Sequence, residues 1–136
     1  MECGKTRDFC KELEKIGCEV VPYVGSTRQK NGVSDRWITH NSWPHGVWVE
    51  FKDHSTRISD LQEEWQRATN IRSAGLQCLI FRFHRGKMSG DIEYMWDGER
   101  MYIQCLNGRI FLEEVRRCTI FGLQNWKMYD VLRTCE

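Results

Sequence analysis

Val47-Trp48-Val49-Glu50-Phe51-Lys52 is the stretch of sequence that decides the fold. Its odd-numbered positions are all apolar, whereas Trp48, Glu50 and Lys52 occupy the even-numbered positions. Because successive side chains of a strand point to opposite faces, this alternation predicts a strand with one face in the core. The other face would present a carboxylate beside an amine.

Helices and further strands are predicted on both sides of this strand. Phe9, Leu13 and Ile16 recur at helical spacing, and Gly17 then provides a C-terminal stop. Further strands are predicted at 18–24, 35–40 and 76–83, and a second helix runs from 59 to about 74. A helix that joins two strands implies a parallel pair with a right-handed crossover. The order α-β-β-β-α-β predicts an α/β fold with a mixed central sheet flanked by helices.

The remainder of the chain predicts a hairpin followed by short helices. Residues 92–96 and 100–105 flank Asp97-Gly98, a dipeptide typical of tight hairpin turns. One or two short helices are predicted within residues 110–121 and 125–134.

Length and composition indicate a globular protein without a charged coat. The 136 residues include 20 Lys and Arg against 19 Asp and Glu, a net charge of +1, so any nucleic-acid contact must come from a local patch. We expect a single domain, with a core over about 2–83 and a C-terminal extension over about 84–136. No apolar run approaches the roughly 18 residues of a membrane span, and no apolar leader is visible. We therefore expect a cytoplasmic, intracellular protein.

Seven cysteines carry little functional signal. Their number is odd and no C-x-x-C pair occurs, so neither a thiolate zinc site nor a dithiol redox site is predicted. We expect reduced cysteines that act as small apolar side chains.

Two carboxylates and a lysine form a candidate metal site. Asp35 opens one predicted strand, and Glu50 lies on the neighbouring strand of the same hairpin. Two carboxylates that converge repel each other unless a cation lies between them, and oxygen ligands favour Mg²⁺ or Mn²⁺. The carbonyl of Phe51 is a candidate third ligand. Lys52 shares a face with Glu50 and could stabilise charge that develops on a phosphate, so the set suits metal-assisted phosphodiester hydrolysis.

This arrangement resembles the PD-(D/E)XK nuclease superfamily. The ordered series Gly32-Val33-Ser34-Asp35, then Glu50-x-Lys52, then Ser59-x-x-Gln62 and a helix that ends near Gly75 resembles a VRR-NUC domain, most closely the small stand-alone phage and viral forms. The resemblance covers residues 2–83. The proline that the family places before its catalytic aspartate is Ser34 here, a change that affects backbone shape and not chemistry.

The resemblance implies further site residues and partners. It implies that a glutamate early in the first helix joins the site; Glu2 corresponds, and Glu12 and Glu14 are weaker candidates. It implies a catalytic role for Gln62. Similar small enzymes act as homodimers on branched DNA such as Holliday junctions, so the resemblance implies a DNA-cutting homodimer.

Structural interpretations remain open for several of these residues. Glu50 and Lys52 could form a solvated strand face. Ser59 and Gln62 have the spacing of a capping box, which alone would explain Gln62. Asp53 is more typical of a turn than of a metal site.

Basic and aromatic side chains could contact nucleic acid. Trp43, in the turn before the decisive strand, is expected to be exposed, where it could stack on a base or enter a partner. The candidate phosphate contacts are Arg28, Lys30, Arg36, His54, Arg57, Arg82, Arg85 and Lys87. A non-catalytic nucleic-acid-binding or regulatory module on the same fold is the alternative function.

Overall fold

The computed structural model describes residues 4–22, 36–55, 78–96 and 99–120. These residues form helix α1 (Gly4–Lys15), six strands and a second helix, α2 (residues 108–120). The strands are β1 (Glu19–Pro22), β2 (Arg36–Thr39), β3 (Val47–Lys52), β4 (Cys78–Phe83), β5 (Gly90–Trp96) and β6 (Glu99–Cys105).

Helix α1 follows the predicted apolar spacing. Phe9 and Leu13 are fully buried, and Ile16 packs against the core. Gly17 ends the helix with a φ of 99°, a left-handed conformation that glycine adopts without a steric penalty. The amide of Gly17 donates to the carbonyl of Glu14, and the amide of Cys18 donates to that of Leu13. This pair of hydrogen bonds is a Schellman motif, and it confirms the predicted stop.

All six strands form one mixed sheet in the order β1-β2-β3-β4-β5-β6. Strands β3 and β4 pair in parallel, and every other neighbouring pair is antiparallel. The two predicted hairpins, β2–β3 and β5–β6, and the parallel β3–β4 pair are therefore confirmed. The helix predicted over 59–74 lies outside the described residues.

An aromatic cluster fills the core between the sheet and the two helices. The ring of Phe9 stacks on Phe81 at 4.5 Å between centroids, and Phe51 and Phe83 surround them. Phe111 of α2 meets both Phe9 and Phe81 edge-on at 5.4 Å. Apolar burial of this kind is the main stabilising term of a fold. Part of the predicted C-terminal extension thus completes the same core as the N-terminal helix.

Helix α2 begins with two caps that the sequence pattern did not reveal. The side chain of Asn107 accepts a hydrogen bond from the amide of Ile110 at 3.0 Å, which is the usual N-cap arrangement. Glu12 of α1 accepts another from the amide of Gly108 at 2.9 Å. Glu12, a weaker candidate for the site, therefore links the two helices.

Trp43 corrects one expectation. Its side chain is buried, and its indole N–H donates to the carbonyl of Leu112 in α2 at 3.0 Å. The prediction that Trp43 is exposed is wrong, because α2 covers the β2–β3 turn, and the position of α2 could not be inferred from the local sequence.

Five cysteines lie in the described part of the chain, and all are buried (Cys10, Cys18, Cys78, Cys105 and Cys118). Burial raises the pKa of Cys18 and Cys118 to about 11 and that of Cys105 to about 12. Such thiols stay protonated and unreactive near neutral pH.

No helix within the described residues is long and apolar enough to cross a membrane.

Candidate functional site

The register of β3, β4 and β5 brings charged side chains together on one face of the sheet. Lys52 pairs with Arg82, and Glu50 pairs with Ile80, which in turn pairs with Glu93. Residues paired across neighbouring strands share a face. We call the surface formed by Glu50, Lys52, Arg82 and Glu93 the charged face. The opposite, core face carries Phe51, Phe81 and the other buried apolar side chains of these strands.

Glu50 and Lys52 form an ion pair within β3. Lys52 Nζ lies 3.2 Å from Glu50 Oε1, and Glu50 is only 6% exposed. Removing a carboxylate from water costs roughly several kcal/mol unless a nearby positive charge and hydrogen bonds compensate. The solvated-face interpretation therefore does not describe Glu50. A buried carboxylate with an ammonium beside it can bind a cation or polarise a phosphate, depending on what enters the site.

A second ion pair, not foreseen from sequence, lies beside the first. Arg82 Nε donates to Glu93 Oε1 at 3.0 Å, and Arg82 Nη2 reaches Glu93 Oε2 at 3.5 Å. Arg100 of β6 approaches the same carboxylate at 4.0 Å. Glu93 is 6% exposed. The available signal was the alternation of Asp91-Ile92-Glu93, which repeats the acidic and apolar alternation seen around Glu50.

The chain that leaves β3 is held close to these pairs. Arg82 Nη1 donates to the carbonyl of Asp53 at 3.0 Å. The backbone amide and the ring of His54 lie 2.9 and 3.2 Å from Asp53 Oδ1, and these contacts hold the pKa of Asp53 below its usual range. The charge of Lys5, at the start of α1, lowers the same pKa further. Lys5, which the sequence motifs did not include, thus adds positive charge near the end of β3.

The predicted site is described only in part. Glu50, Phe51 and Lys52 are consecutive on β3, with the side chain of Phe51 in the core. The other predicted site residues lie outside the described part of the chain: Asp35, Gln62 and Glu2.

The candidate phosphate contacts fall into different environments. Arg36 pairs with Val49 and so lies on the side of the sheet opposite Glu50. Arg85 and Lys87 are exposed in the turn between β4 and β5, and His54 is exposed beside Asp53. Arg82 is mostly buried and ion-paired. Three of the predicted contacts lie outside the described residues: Arg28, Lys30 and Arg57.

The donor set suits a hard divalent cation. The carboxylate of Glu50 and the backbone carbonyl of Phe51 are oxygen donors of the kind that Mg²⁺ and Mn²⁺ prefer. Within residues 4–22, 36–55, 78–96 and 99–120, no three His, Cys, Asp or Glu side chains are grouped for metal binding. Asp35, the other predicted ligand, lies outside the described residues.

Comparison with known proteins identifies the fold. No family profile matches the sequence, and no curated protein is detectably similar to it. The structure is similar to that of Hjc from Archaeoglobus fulgidus, a Holliday junction resolvase from an archaeal hyperthermophile, with a TM-score of 0.51. The match covers 79% of this chain and 95% of Hjc at 15% sequence identity. The chain therefore has a fold like that of Hjc. The predicted mixed sheet flanked by helices is thus confirmed.

Proposed function

We propose that this protein is a divalent-metal-dependent endonuclease that cuts branched DNA, such as Holliday junctions. The buried Glu50–Lys52 pair on one strand of a fold like that of Hjc is the observation that carries the proposal. Glu-x-Lys on a strand is a weak motif alone. It gains weight because the carboxylate is buried, which a solvated strand face would not require. The ordered motifs further favour a VRR-NUC type of nuclease.

The proposed metal ligands are Asp35, Glu50 and the carbonyl of Phe51. Arg36 pairs with Val49, the neighbour of Glu50. Asp35 precedes the first residue of β2, and the proposal assigns its carboxylate to the same metal as Glu50. A bound Mg²⁺ or Mn²⁺ would polarise the phosphate and lower the pKa of water.

The remaining side chains have proposed roles around the scissile phosphate. Lys52 Nζ would stabilise negative charge that develops on the phosphate oxygens. Gln62 would donate to water or phosphate. Glu2 would join the acidic set, since it lies three residues before Lys5, whose charge already influences Asp53.

Basic side chains around the site would hold the DNA backbone. The exposed positions of His54, Arg85 and Lys87 suit contacts with phosphate. The proposed set also includes the basic residues Arg28, Lys30 and Arg57.

A homodimer is part of the proposal. Resolving a four-way junction requires cuts in two strands, and a two-fold dimer presents two identical sites in opposite orientation. The enzyme would work as a single domain in the cytoplasm.

A cleavage panel tests this proposal. Four-way junctions, flaps and linear duplexes are incubated with Mg²⁺, Mn²⁺ or EDTA. We expect metal-dependent cleavage of the branched DNAs and none with EDTA. Glu50→Gln and Asp35→Asn should each abolish cleavage and weaken Mn²⁺ binding while the fold is retained. Glu113→Gln, an exposed carboxylate on α2, is the matched control and should cleave normally.

Two results would overturn the proposal. Binding of branched DNA without cleavage under any metal condition would favour the non-catalytic module. Cleavage by Glu50→Gln at the wild-type rate would remove Glu50 from the site.

A further inference from the structure

We propose that Arg82 and Glu93 form a positioning pair that holds the carboxyl end of β3 and thereby fixes Lys52 beside Glu50. This inference rests on the proposed nuclease function. It assigns a role to Glu93, which the sequence motifs missed. It also assigns a new role to Arg82, which the sequence analysis interpreted as a phosphate contact.

The contacts of Arg82 define a clamp across three strands. Its Nε and Nη2 engage the two carboxylate oxygens of Glu93 on β5, and its Nη1 engages the Asp53 carbonyl. Asp53 directly follows Lys52, and Lys52 is the Cα partner of Arg82 across the β3–β4 pair. The guanidinium therefore joins β5 to the first residue after β3.

Arginine is required for this connection because its guanidinium is planar and rigid. Its donors can hold two acceptors at a fixed angle, whereas the single ammonium of lysine cannot. Glu93 sets the orientation of the guanidinium from β5, where it lies two residues along from Asp91, the direct partner of Arg82. Diagonal neighbours of this kind are within reach of long side chains on one face of a sheet.

Stability alone does not account for the pair. Buried ion pairs contribute little net stability, and apolar side chains of similar volume often serve as well. Position is a better explanation, because a shift of about 1 Å in a catalytic group can slow a reaction by roughly 10²-fold. Without the clamp, the Asp53 carbonyl loses its donor, and the chain beyond Lys52 can move.

The same geometry argues against a direct phosphate contact by Arg82. Its Nε, Nη1 and Nη2 all donate to acceptors within the protein. The side chain is only 19% exposed. A phosphate that displaced Glu93 from Arg82 would leave a buried carboxylate without its main partner.

Three variants separate positioning from phosphate binding. Arg82→Lys keeps the positive charge but removes the planar guanidinium. Glu93→Gln keeps the shape of the side chain but removes its negative charge. Arg100→Lys is the matched control. Arg100 approaches the same Glu93 carboxylate, and no contact from it to Asp53 is seen in the described residues. Each variant is tested by single-turnover cleavage at saturating junction DNA, by DNA affinity at several salt concentrations and by thermal melting.

We expect Arg82→Lys to slow cleavage by about 10- to 10²-fold while DNA affinity stays within about twofold. Glu93→Gln should show the same pattern to a smaller degree, and the double variant should be no slower than Arg82→Lys. Arg100→Lys should cleave within about twofold of the wild-type rate. Backbone amides at 52–55 should exchange hydrogen faster in Arg82→Lys and Glu93→Gln than in Arg100→Lys.

Distinct outcomes would overturn this inference or the proposed function. If Arg82→Lys weakens DNA binding and leaves the saturating rate unchanged, Arg82 is a phosphate contact. Unchanged rates in Arg82→Lys and Glu93→Gln also overturn the inference. If the wild-type protein cuts no DNA, the proposed function fails. Hydrogen exchange at 52–55 then decides the clamp alone, and exchange equal to that of Arg100→Lys overturns it.

Discussion

The two faces of the central sheet bury their side chains for different physical reasons. On the core face, Phe51 and Phe81 pack against Phe9 and Phe111. On the charged face, β3 buries Glu50 and β5 buries Glu93. Apolar burial stabilises the fold at about 25 cal/mol per Å². Carboxylate burial costs free energy and persists only when partners compensate.

This contrast indicates where function resides. A side chain that stabilises the fold needs no further explanation, whereas a buried carboxylate needs one. The positive charges of Lys52 and Arg82 compensate the carboxylates of Glu50 and Glu93. Lys52 and Arg82 lie at the same end of β3 and β4. The core face therefore determines stability, and the charged face is where chemistry is expected.

Truncation of the core face should have the largest effect on stability. Phe81 is fully buried and contacts four other phenylalanine rings. We expect Phe81→Ala to lower the free energy of unfolding by about 3–5 kcal/mol, because it loses apolar burial and leaves a cavity. Urea denaturation followed by circular dichroism measures the change.

Tyr102 of β6 provides the control on the same sheet. It is 61% exposed, so Tyr102→Ala should change the free energy of unfolding by no more than about 0.5 kcal/mol. Equal losses for Phe81→Ala and Tyr102→Ala would contradict the assignment of the core face.

Much of the fold could be predicted because its signals are local. The alternation of Val47, Val49 and Phe51 predicted the core face of β3, and the spacing of Phe9 and Leu13 predicted the buried face of α1. The D-G dipeptide predicted the β5–β6 hairpin. Each pattern is set by periodicity within one element or by turn chemistry, which the sequence shows directly.

Features that depend on distant contacts could not be predicted in this way. Trp43 lies beneath α2, which begins 65 residues later in the chain. The link between Glu12 and Gly108 and the pairing of Arg82 with Glu93 also join separate elements. Alternation shows that a charged residue lies on a face, but it does not identify its partner.

Removal of the lysine from the charged face should affect chemistry more than stability. We expect Lys52→Met to slow cleavage by about 10²-fold or more, because Lys52 would stabilise charge that develops on phosphate. Calorimetric Mn²⁺ binding should be retained, since a protonated lysine is not a metal ligand. Lys11→Met, on the exposed side of α1, should cleave normally. Loss of Mn²⁺ binding by folded Lys52→Met would instead mean that Lys52 organises the carboxylates.

Loss of a hydrogen bond on the core side should have a smaller effect. Trp43→Phe removes the indole donor to the Leu112 carbonyl and part of a buried ring. We expect a loss of about 1–2 kcal/mol in the free energy of unfolding and unchanged affinity for DNA. Thermal melting and DNA-binding titrations measure the two quantities. Weaker DNA binding with unchanged stability would restore a base-stacking role for Trp43.

The smallest effect near neutral pH concerns the thiols of the core side. Burial raises the pKa of Cys18 and Cys118 to about 11 and that of Cys105 to about 12, whereas an unfolded thiol ionises near pH 8.5. Between these values the folded protein binds more protons than the unfolded chain, so the free energy of unfolding must fall as the pH rises. The stabilisation is fully present below about pH 8, and by pH 9 we expect a loss of less than about 1 kcal/mol for each thiol. Urea denaturation from pH 7 to pH 10 measures this slope, and Cys105→Ala should make it shallower. If the free energy of unfolding stays constant to pH 10, these thiols ionise as readily in the folded protein as in the unfolded chain. The core side would then tolerate charge as the charged face does.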